Sequence, residues 1–443
     1  MKRTLLIAAL LLSTAFCGLA QNEYNCFCII AGRNVTTDGS VILAHNEDDE
    51  DDMLLNIYAG SKYLWAEFPG WEATDAFLNR NGVALASDNC KSREDNPVLT
   101  DGGRFYEVRA TVAAKARTAR EGMHIIGEMV EKYGYGDSGR SYMVADANEG
   151  WVVSVVNGKH WVAERVPDDK VFIIPNYYII DEVNLDDTVN FAGSKDIVEY
   201  AVSRGWYDPA KDGKFSFRKA YSNERTFRSK HNELRQKAAI DYICGGSCKP
   251  GNHHPFAMKP DRKLSVEDLV KALSLHNGDN LGTGSICNNK TVISTIFQLR
   301  QDMPKELGCI MWTAIGHPCI EAYIPWYLGT TVSPNGWQRF STAEEAMDKH
   351  LKDTTDLRAR YPEARCWKYV DRWNAARPDI INYEKTRRDV IAPYQKFIFK
   401  EQKSFERKMR RKYCKGGSVS DPAGLADELN RHLDTQYRQY EVL

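Results

Sequence analysis

The hydrophobic pattern after residue 25 begins with two short apolar runs on either side of a polar turn. The runs are FCIIAG and SVILAH, and the turn between them is Thr37–Gly39. Short runs rich in β-branched residues that flank a turn are typical of a β-hairpin. The pattern therefore predicts that Cys26 stands at the head of the first strand of a hairpin.

Beyond the hairpin, strand-like and helical segments alternate along the chain. Short strands are predicted in LNRNGVALASDN, SYMVADANEG, WVVSVVNGKHWVAERV, DKVFIIPNYYII, VISTIFQLR and GCIMWTAIG. Apolar positions at helical spacing predict helices over 106–133, from 222 to about 240, over 265–275, and in a charged portion from 342 onward. Strands, a helix, more strands and then helices are typical of a layered α+β architecture.

The first twenty residues have the layout of a secretory signal peptide. Two basic residues precede an apolar core, and small residues follow up to Ala20, a suitable cleavage point. Lipid attachment at Cys17 is an alternative, which the large residue Phe16 disfavours. Cleavage after Ala20 leaves 21–25 as a short pro-segment. No later apolar stretch is long enough to cross a membrane, so we expect a protein exported to the periplasm or secreted.

The bulk composition is that of an ordinary globular enzyme. The 443 residues are 43% hydrophobic and 27% charged, with a formal net charge of −1. A net charge near zero argues against nucleic-acid binding or a general membrane-surface role. No linker or internal repeat divides the chain, so we expect one catalytic domain over 26–340 and a helical portion over 341–443 packed on it.

Eleven cysteines fit an oxidising compartment better than a reducing one. If Cys17 leaves with the signal and Cys26 is kept for chemistry, nine remain, and an odd number leaves at least one free thiol. The pairing cannot be deduced from the sequence. The segment from Cys244 to Cys248, followed by two histidines, is compatible with a small disulfide loop or a zinc site. Its spacing is not that of a standard zinc ligand pair, which favours the disulfide.

The position of Cys26 suggests a specific chemistry. If cleavage makes Cys26 the first residue, its thiol can attack a substrate. Its α-amino group, with a reference pKa of about 7.7–8.0, can take the thiol proton near neutral pH. Nucleophile and base then belong to one residue.

The run CFCIIAGRNVTTDGSVILAHNEDD resembles the start of the secernin-like and PepD-like dipeptidases. These are cysteine hydrolases of the N-terminal-nucleophile superfamily, related to penicillin V acylase and bile salt hydrolase. The resemblance returns at NRNGVALASDN, GWVVSVVNGKHWVAERVPDD, IPNYYI, AYSNERTF, TVISTIFQLR and MWTAIGHP. It thus covers most of the chain from Cys26 to about Trp337. It implies an αββα sandwich of two antiparallel sheets with helices outside.

The resemblance also implies roles for residues near the hairpin. Cys26 matches the family nucleophile, which is usually exposed by autocatalytic loss of the preceding segment, here 21–25. Asp48 matches an aspartate that orients the amino group of the nucleophile and stabilises the ammonium form. His45 falls where the acylases carry an arginine, a departure that leaves its role open. A protonated His45 can lower the thiol pKa.

Three residues farther along match family positions in the site. Asn89 and Asn176 match asparagines that supply hydrogen-bond donors to the oxyanion of the intermediate, although either is also compatible with an ordinary turn. Arg225, in AYSNERTF, matches an arginine that closes the charge network around the nucleophile. The alternative is an arginine on the surface of a helix.

The acidic run after the hairpin bears on the substrate. We expect His45, Glu47 and Asp49 to be substrate-binding residues, with one or two carboxylates of the run binding the free ammonium group of a short peptide. The alternative for 47–52 is a solvated acidic loop, which is the favoured interpretation for 49–52.

Together these features predict a cysteine dipeptidase that hydrolyses short peptides through a thioester and needs no metal or organic cofactor. Its expected partners are dipeptide substrates, with no nucleic acid and no membrane insertion, and a homo-oligomer stays open. One alternative is an amidase that acts on N-acyl amides, although such a substrate has no ammonium for the acidic run. Another is a catalytically dead exported binding protein, for which His45 is the hint.

Overall fold

Two antiparallel sheets form the centre of the fold. The computed structural model describes residues 26–49, 55–67, 76–245, 257–278, 281–337, 355–379 and 385–442. The predictions for 1–25, for 50–52 and for Cys248 lie outside this part of the chain. Its strands are β1 (Phe27–Ala31), β2 (Val41–Asp48), β3 (Asn56–Ala59), β4 (Tyr63–Glu67), β5 (Ala76–Asn79), β6 (Ala84–Asn89), β7 (Tyr135–Ala145), β8 (Gly150–Gly158), β9 (Trp161–Arg165), β10 (Val171–Ile174), β11 (Phe191–Gly193), β12 (Thr291–Leu299), β13 (Cys309–Ile315), β14 (Ile324–Tyr327), β15 (Cys414–Lys415) and β16 (Ser418–Val419).

The helices surround these sheets. Over the described residues they are α1 (Tyr106–Lys115), α2 (Ala119–Tyr133), α3 (Ile197–Ser203), α4 (Phe217–Tyr221), α5 (Glu224–Phe227), α6 (Lys230–Cys244), α7 (Val266–Leu273), α8 (Lys305–Gly308), α9 (Thr355–Arg360), α10 (Cys366–Ala376), α11 (Ala392–Tyr413) and α12 (Pro422–Glu441).

The hairpin predicted from the first apolar runs lies in the middle of the smaller sheet. The strand order there is β10-β1-β2-β12-β13-β14, and that of the larger sheet is β11-β9-β8-β7-β6-β5-β4-β3. Strands β1 and β2 pair antiparallel with Cys28 opposite His45. Gly39 takes a φ of +73° in the connection, which favours glycine there. Residues directly opposite each other share a face of a sheet, so Cys28 and His45 lie on the same face.

The layers follow from the apolar faces of the elements. Helices α1 and α2 pack on the outer face of the larger sheet in a cluster that includes Val112, Met123 and Val153. A second cluster joins the inner faces of both sheets and the helices beyond the smaller one. Helices α6 and α7 contact β10, β2 and β12. The predicted α+β fold, with two antiparallel sheets and helices outside, is confirmed.

Two predicted helices are interrupted because capping side chains start new ones. The segment 106–133 forms α1 and α2, since Ala116 is extended and the Thr118 side chain accepts from the Glu121 amide. Likewise, the segment from 222 to about 240, predicted to be one helix, forms the two helices α5 and α6. The Ser229 side chain caps α6 by accepting from the Asn232 amide.

Polar contacts join the last helices to the smaller sheet. The Arg300 guanidinium donates to both Glu406 carboxylate oxygens at 2.8 Å, and the Ala322 amide donates to Tyr440 Oη at 2.9 Å. These bonds link α11 to the end of β12, a neighbour of β2, and α12 to the segment just before β14. In the described part of the chain, no helix combines the length and apolarity needed to span a membrane.

Candidate active site

Cys26 lies just before β1 and is 2% exposed. Its carbonyl oxygen accepts a hydrogen bond from Arg235 Nη1 at 3.1 Å. Its thiol is close to a histidine and a carboxylate on the neighbouring strands. The residue therefore has two different surroundings, one at its backbone and one at its sulfur.

We call the backbone surroundings the anchor side: the Cys26 carbonyl, Asn176, Asn232 and Arg235. Arg235 Nη2 donates to Asn176 Oδ1 at 2.7 Å and to Asn232 Oδ1 at 2.6 Å. Asn176 Nδ2 donates to the Asn89 carbonyl at 3.0 Å. One guanidinium thus ties Cys26 to the segment after β10, and Asn176 ties that segment to the end of β6 in the other sheet.

Helix α6 carries Arg235 on its buried face. Buried residues recur along one face of the helix at helical spacing, and some of them are polar. They include Asn232, Arg235, Gln236, Ala239, Ile240 and Ile243. A buried arginine is stable only with hydrogen-bond acceptors around it. The anchor side supplies three of them.

We call the sulfur surroundings the thiol side: Cys26 Sγ, His45, Glu47 and Asp88. Cys26 Sγ, a ring nitrogen of His45 and a carboxylate oxygen of Asp88 all lie within 4.8 Å of one another. All three residues are buried. His45 Nε2 lies 3.4 Å from Asp88 Oδ1 and 3.4 Å from Glu47 Oε2. Cys28 Sγ also donates to Asp88 Oδ1, at 3.4 Å. The alternation of β1, β2 and β6 directs these side chains into the space between the sheets.

The thiol side disfavours a thiolate. Burial raises the pKa of Cys26 well above its ordinary value, and the charges of Glu47, Asp88 and Asp48 raise it further. A backbone hydrogen bond from Asp48 opposes this effect only in part. The thiol is therefore protonated at neutral pH and needs a base to become a nucleophile.

Asp48, the last residue of β2, is fully buried. Its carboxylate accepts from Asn288 Nδ2 at 2.5 Å and from Thr291 Oγ1 at 2.7 Å. Burial raises the pKa of Asp48 to about 7, although Arg235 and these two hydrogen bonds lower it. A carboxyl with this pKa can change its protonation state when a positive charge forms nearby.

The structure brings most of the predicted site residues to this region. Asp49 is buried directly after β2, and its amide donates to the Lys290 carbonyl at 2.8 Å. The backbone carbonyl of Asn89 accepts from Asn176 Nδ2 at 3.0 Å, and its side-chain Oδ1 accepts from Ser138 Oγ at 3.3 Å. Cys26, His45, Glu47, Asp48 and Asn176 take the positions described above.

Arg225 is placed differently from the sequence expectation. It is exposed on the short helix α5, while the arginine bonded to the Cys26 carbonyl is Arg235. Both lie in the segment after residue 222 for which the sequence predicts one helix, and the family motif matches Arg225, which is on α5, whereas Arg235 is on α6. The buried arginine with three hydrogen-bond acceptors beside Cys26 is therefore Arg235, while Arg225 is exposed.

Sequence reasoning also missed Asp88 and Asn232, for which a signal exists. In β6, Ala84, Ala86 and Asp88 alternate with other side chains and share the inward face, so a charged residue there is conspicuous. Asn232 lies three residues before Arg235 on the buried face of α6. Asn288 and Thr291, at the start of β12, have no comparable sequence signal.

One compact donor cluster lies apart from the thiol side. His276, Cys287 and Cys319 each have a ligand atom within 4.8 Å of the others, and Cys287 Sγ lies 3.1 Å from Cys319 Sγ. Sulfur and imidazole are ligand types that suit zinc. The zinc or disulfide alternatives considered for Cys244 and Cys248 depend on residues outside the described part.

Comparisons with known proteins point to peptide hydrolysis. The family model for peptidase family C69 matches residues 86–352. The chain is 26% identical over 351 residues to a probable dipeptidase of Latilactobacillus sakei, covering 68% of this chain and 74% of that one. It is 25% identical over 376 residues to dipeptidase A of Lactobacillus helveticus, covering 72% and 78%.

Solved structures show weaker likenesses. Penicillin V acylase from Agrobacterium tumefaciens has a TM-score of 0.35 at 12% identity, with 66% of this chain and 82% of that chain covered. A conjugated bile acid hydrolase from Clostridium perfringens has a TM-score of 0.31 at 10% identity, with 66% and 89% covered. The resemblance to dipeptidases seen in the sequence is confirmed by the family match: the chain belongs to peptidase family C69 and is a cysteine-type peptide hydrolase.

Proposed function

We propose that this protein is an exported dipeptidase that acts through a thioester on Cys26, after self-cleavage has made Cys26 the N-terminal residue. The observation that carries the proposal is the double environment of Cys26. Arg235 holds its carbonyl, while its thiol faces a carboxylate-rich space between the sheets. A free ammonium at Cys26 would supply the positive charge that this space favours.

The anchor side supports a mechanism of acyl transfer. The α-amine of Cys26 takes the thiol proton, and the thiolate attacks the peptide carbonyl. Because Arg235 binds Asn176 Oδ1, the amide of Asn176 has a fixed orientation. One Nδ2 hydrogen is bonded to the Asn89 carbonyl, and the other is available for the oxyanion. The protonated amine then gives its proton to the leaving amine, and water hydrolyses the thioester.

The acidic residues support a peptide substrate with a free amino terminus. Glu47 lies on β2, the strand that bears His45, and its side chain is 14% exposed. Asp49 directly follows this strand. An ammonium group gains from pairing with a partly buried carboxylate, whereas an N-acyl amide offers no such group.

Hydrolysis of matched substrates tests the proposal. The purified full chain is given alanyl dipeptides, their N-acetyl derivatives and an N-acyl amino acid, with Cys26→Ala as the inactive control. The proposal expects kcat/KM for the free dipeptides to exceed that for the N-acetyl forms by about 10² or more. Preference for the N-acyl substrates would overturn the dipeptide assignment and support the amidase. Turnover by Cys26→Ala would overturn the nucleophile.

Export is part of the proposal and is supported by the signal-like residues 1–20. Fractionation of cells that express the full chain tests it. Release with the periplasmic or extracellular fraction is expected, and retention of the complete chain in the cytosol would contradict it.

A further inference from the structure

We propose that His45 is the base that takes the Cys26 thiol proton during self-cleavage, with Asp88 as its positioning residue. This inference rests on the proposed function, because it concerns the step that exposes the Cys26 amine. It assigns a task to the residue that departs from the acylase pattern.

Self-cleavage needs a base other than the Cys26 amine, which is the base during turnover. In the uncleaved chain the nitrogen of Cys26 belongs to a peptide bond, and an amide nitrogen is not basic. The same thiol is buried and faces carboxylates, so it does not ionise unaided at neutral pH. Some other group must accept its proton before the sulfur can attack.

His45 has the geometry for this role. A ring nitrogen of His45 lies within 4.8 Å of Cys26 Sγ, a distance that a small side-chain movement or one water molecule can bridge. Nε2 lies 3.4 Å from carboxylate oxygens of both Asp88 and Glu47. These two negative charges stabilise the imidazolium that forms when the proton arrives.

The carboxylates are less suited to be the base. Both oxygens of Asp48 already accept hydrogen bonds, from Asn288 and Thr291. Asp88 Oδ1 accepts from Cys28 Sγ. Among the described residues, other charged groups near the thiol include Arg235, which binds the Cys26 carbonyl on the anchor side, and Glu47, which pairs with His45. Imidazole is the side-chain group best suited to exchange protons near neutral pH, and His45 supplies one beside the thiol.

The step balances with water as the only co-reactant. The thiol proton moves to His45, and Sγ bonds to the carbonyl carbon of the peptide bond that precedes Cys26. The C–N bond of that peptide breaks, and the imidazolium returns the proton to the departing Cys26 nitrogen. Water then hydrolyses the thioester, which leaves a carboxylate on the released segment and a free thiol and amine on Cys26.

Two versions of the chain separate this role from turnover. The first begins at Gln21, is made by cell-free synthesis, and is followed by intact mass over time. The second begins Met-Cys26, so that methionine aminopeptidase frees the amine without self-cleavage. His45→Gln is placed in both, with His124→Gln, an exposed residue of α2, as the matched control.

We expect His45→Gln to slow cleavage of the first version by about a hundredfold or more, while His124→Gln cleaves at the unsubstituted rate. In the second version, His45→Gln should lower the rate of dipeptide hydrolysis by a clearly smaller factor than it lowers cleavage of the first version, because the Cys26 amine takes the thiol proton during turnover. Asp88→Asn should slow cleavage by a smaller factor than His45→Gln, because it acts through the histidine.

Other outcomes would overturn the inference. Normal cleavage of His45→Gln would exclude His45 as the base, and a larger loss with Asp88→Asn would make Asp88 the base. Equal losses in both versions would assign His45 to turnover or folding. If the unsubstituted Gln21 chain hydrolyses dipeptides without being cleaved, the proposed function fails, whatever His45 does.

Discussion

The two sides of Cys26 are built in opposite ways. On the anchor side, one cation meets neutral acceptors through hydrogen bonds of 2.6–3.1 Å. On the thiol side, His45 Nε2 lies 3.4 Å from carboxylate oxygens of Asp88 and Glu47, and a ring nitrogen of His45 and a carboxylate oxygen of Asp88 lie within 4.8 Å of the Cys26 sulfur. The first arrangement has donors and acceptors in place, whereas the second has an excess of negative charge.

The difference indicates which side changes during the reaction. The anchor side needs no new charge, so it can hold Cys26 in the same place before and after cleavage. The thiol side gains stability from each positive charge that reaches it, whether an imidazolium, the new ammonium of Cys26 or the ammonium of a substrate. Variants on the anchor side and variants on the thiol side should therefore differ in their effects on turnover, stability and substrate binding.

Removing the nucleophile has the largest expected effect. Cys26→Ala should lower kcat/KM for dipeptides by about 10⁴-fold or more, because the variant lacks the thiol that forms the thioester. Intact mass should also show that the variant keeps its pro-segment. Cys366→Ala, a buried cysteine at the start of α10, is the control and should lose some stability but keep its turnover. Residual activity in Cys26→Ala within tenfold of the parent would contradict the assignment.

Arg235→Lys tests the anchor side. A lysine keeps the charge but cannot bond three acceptors in the fixed fork of a guanidinium. We expect kcat to fall by about 10²–10³-fold and the free energy of unfolding to fall by about 3 kcal/mol. Urea unfolding and dipeptide hydrolysis measure the two effects.

The matched variant is Arg225→Lys. Because Arg225 is exposed on α5, its substitution should change the free energy of unfolding by less than about 0.5 kcal/mol and turnover by less than about twofold. A loss of turnover and stability as large as that of Arg235→Lys would instead support the sequence prediction that Arg225 closes the charge network around the nucleophile.

Asp48 links the two sides through the pH dependence of stability. Its pKa is about 7 in the folded chain and about 3.9 when unfolded. The folded state therefore binds more protons between these values, and the free energy of unfolding falls as pH rises from about 4 to 7. In a Cys26→Ala background, Asp48→Asn should remove roughly 2–4 kcal/mol of this pH-dependent change.

Urea unfolding at pH 4, 5, 6, 7 and 8 measures the effect. Above about pH 8 and below about pH 3, about one unit outside the two pKa values, the contribution of Asp48 should be constant. Identical pH profiles for the two chains would show that Asp48 keeps an ordinary pKa in its buried position.

Glu47→Gln has the smallest expected effect. If Glu47 binds the substrate ammonium, its loss should raise KM for free dipeptides by about tenfold, or roughly 1.4 kcal/mol, with a smaller change in kcat. Glu128→Gln, on α2, is the charge-matched control. An equal rise in KM for free and N-acetyl dipeptides would show that Glu47 acts through His45 rather than by binding the substrate ammonium.

Much of this arrangement follows from local sequence signals. The alternation in FCIIAG and SVILAH predicts the hairpin, and β1 and β2 confirm it. The break between α1 and α2 was missed because apolar spacing continues across Thr118, while the cap depends on one hydroxyl. Local pattern thus determines the elements, and their exact ends depend on single side chains.

The site shows where sequence reasoning stops. Cys26, His45 and Asp48 are close along the hairpin, so their grouping could be predicted from one segment. Arg235 reaches Cys26 across 209 positions of the chain, and only the packing of α6 against the smaller sheet selects it over Arg225. Asp88 is brought in by the approach of the two sheets, which no local pattern encodes.

The most direct test of the free-amine mechanism is the intact mass of the exported, purified protein together with its N-terminal sequence. This mechanism predicts a chain that begins at Cys26, with a free amine beside the thiol. An active chain that begins at Gln21, with Cys26 internal, would contradict it, because the free-amine mechanism would then be excluded.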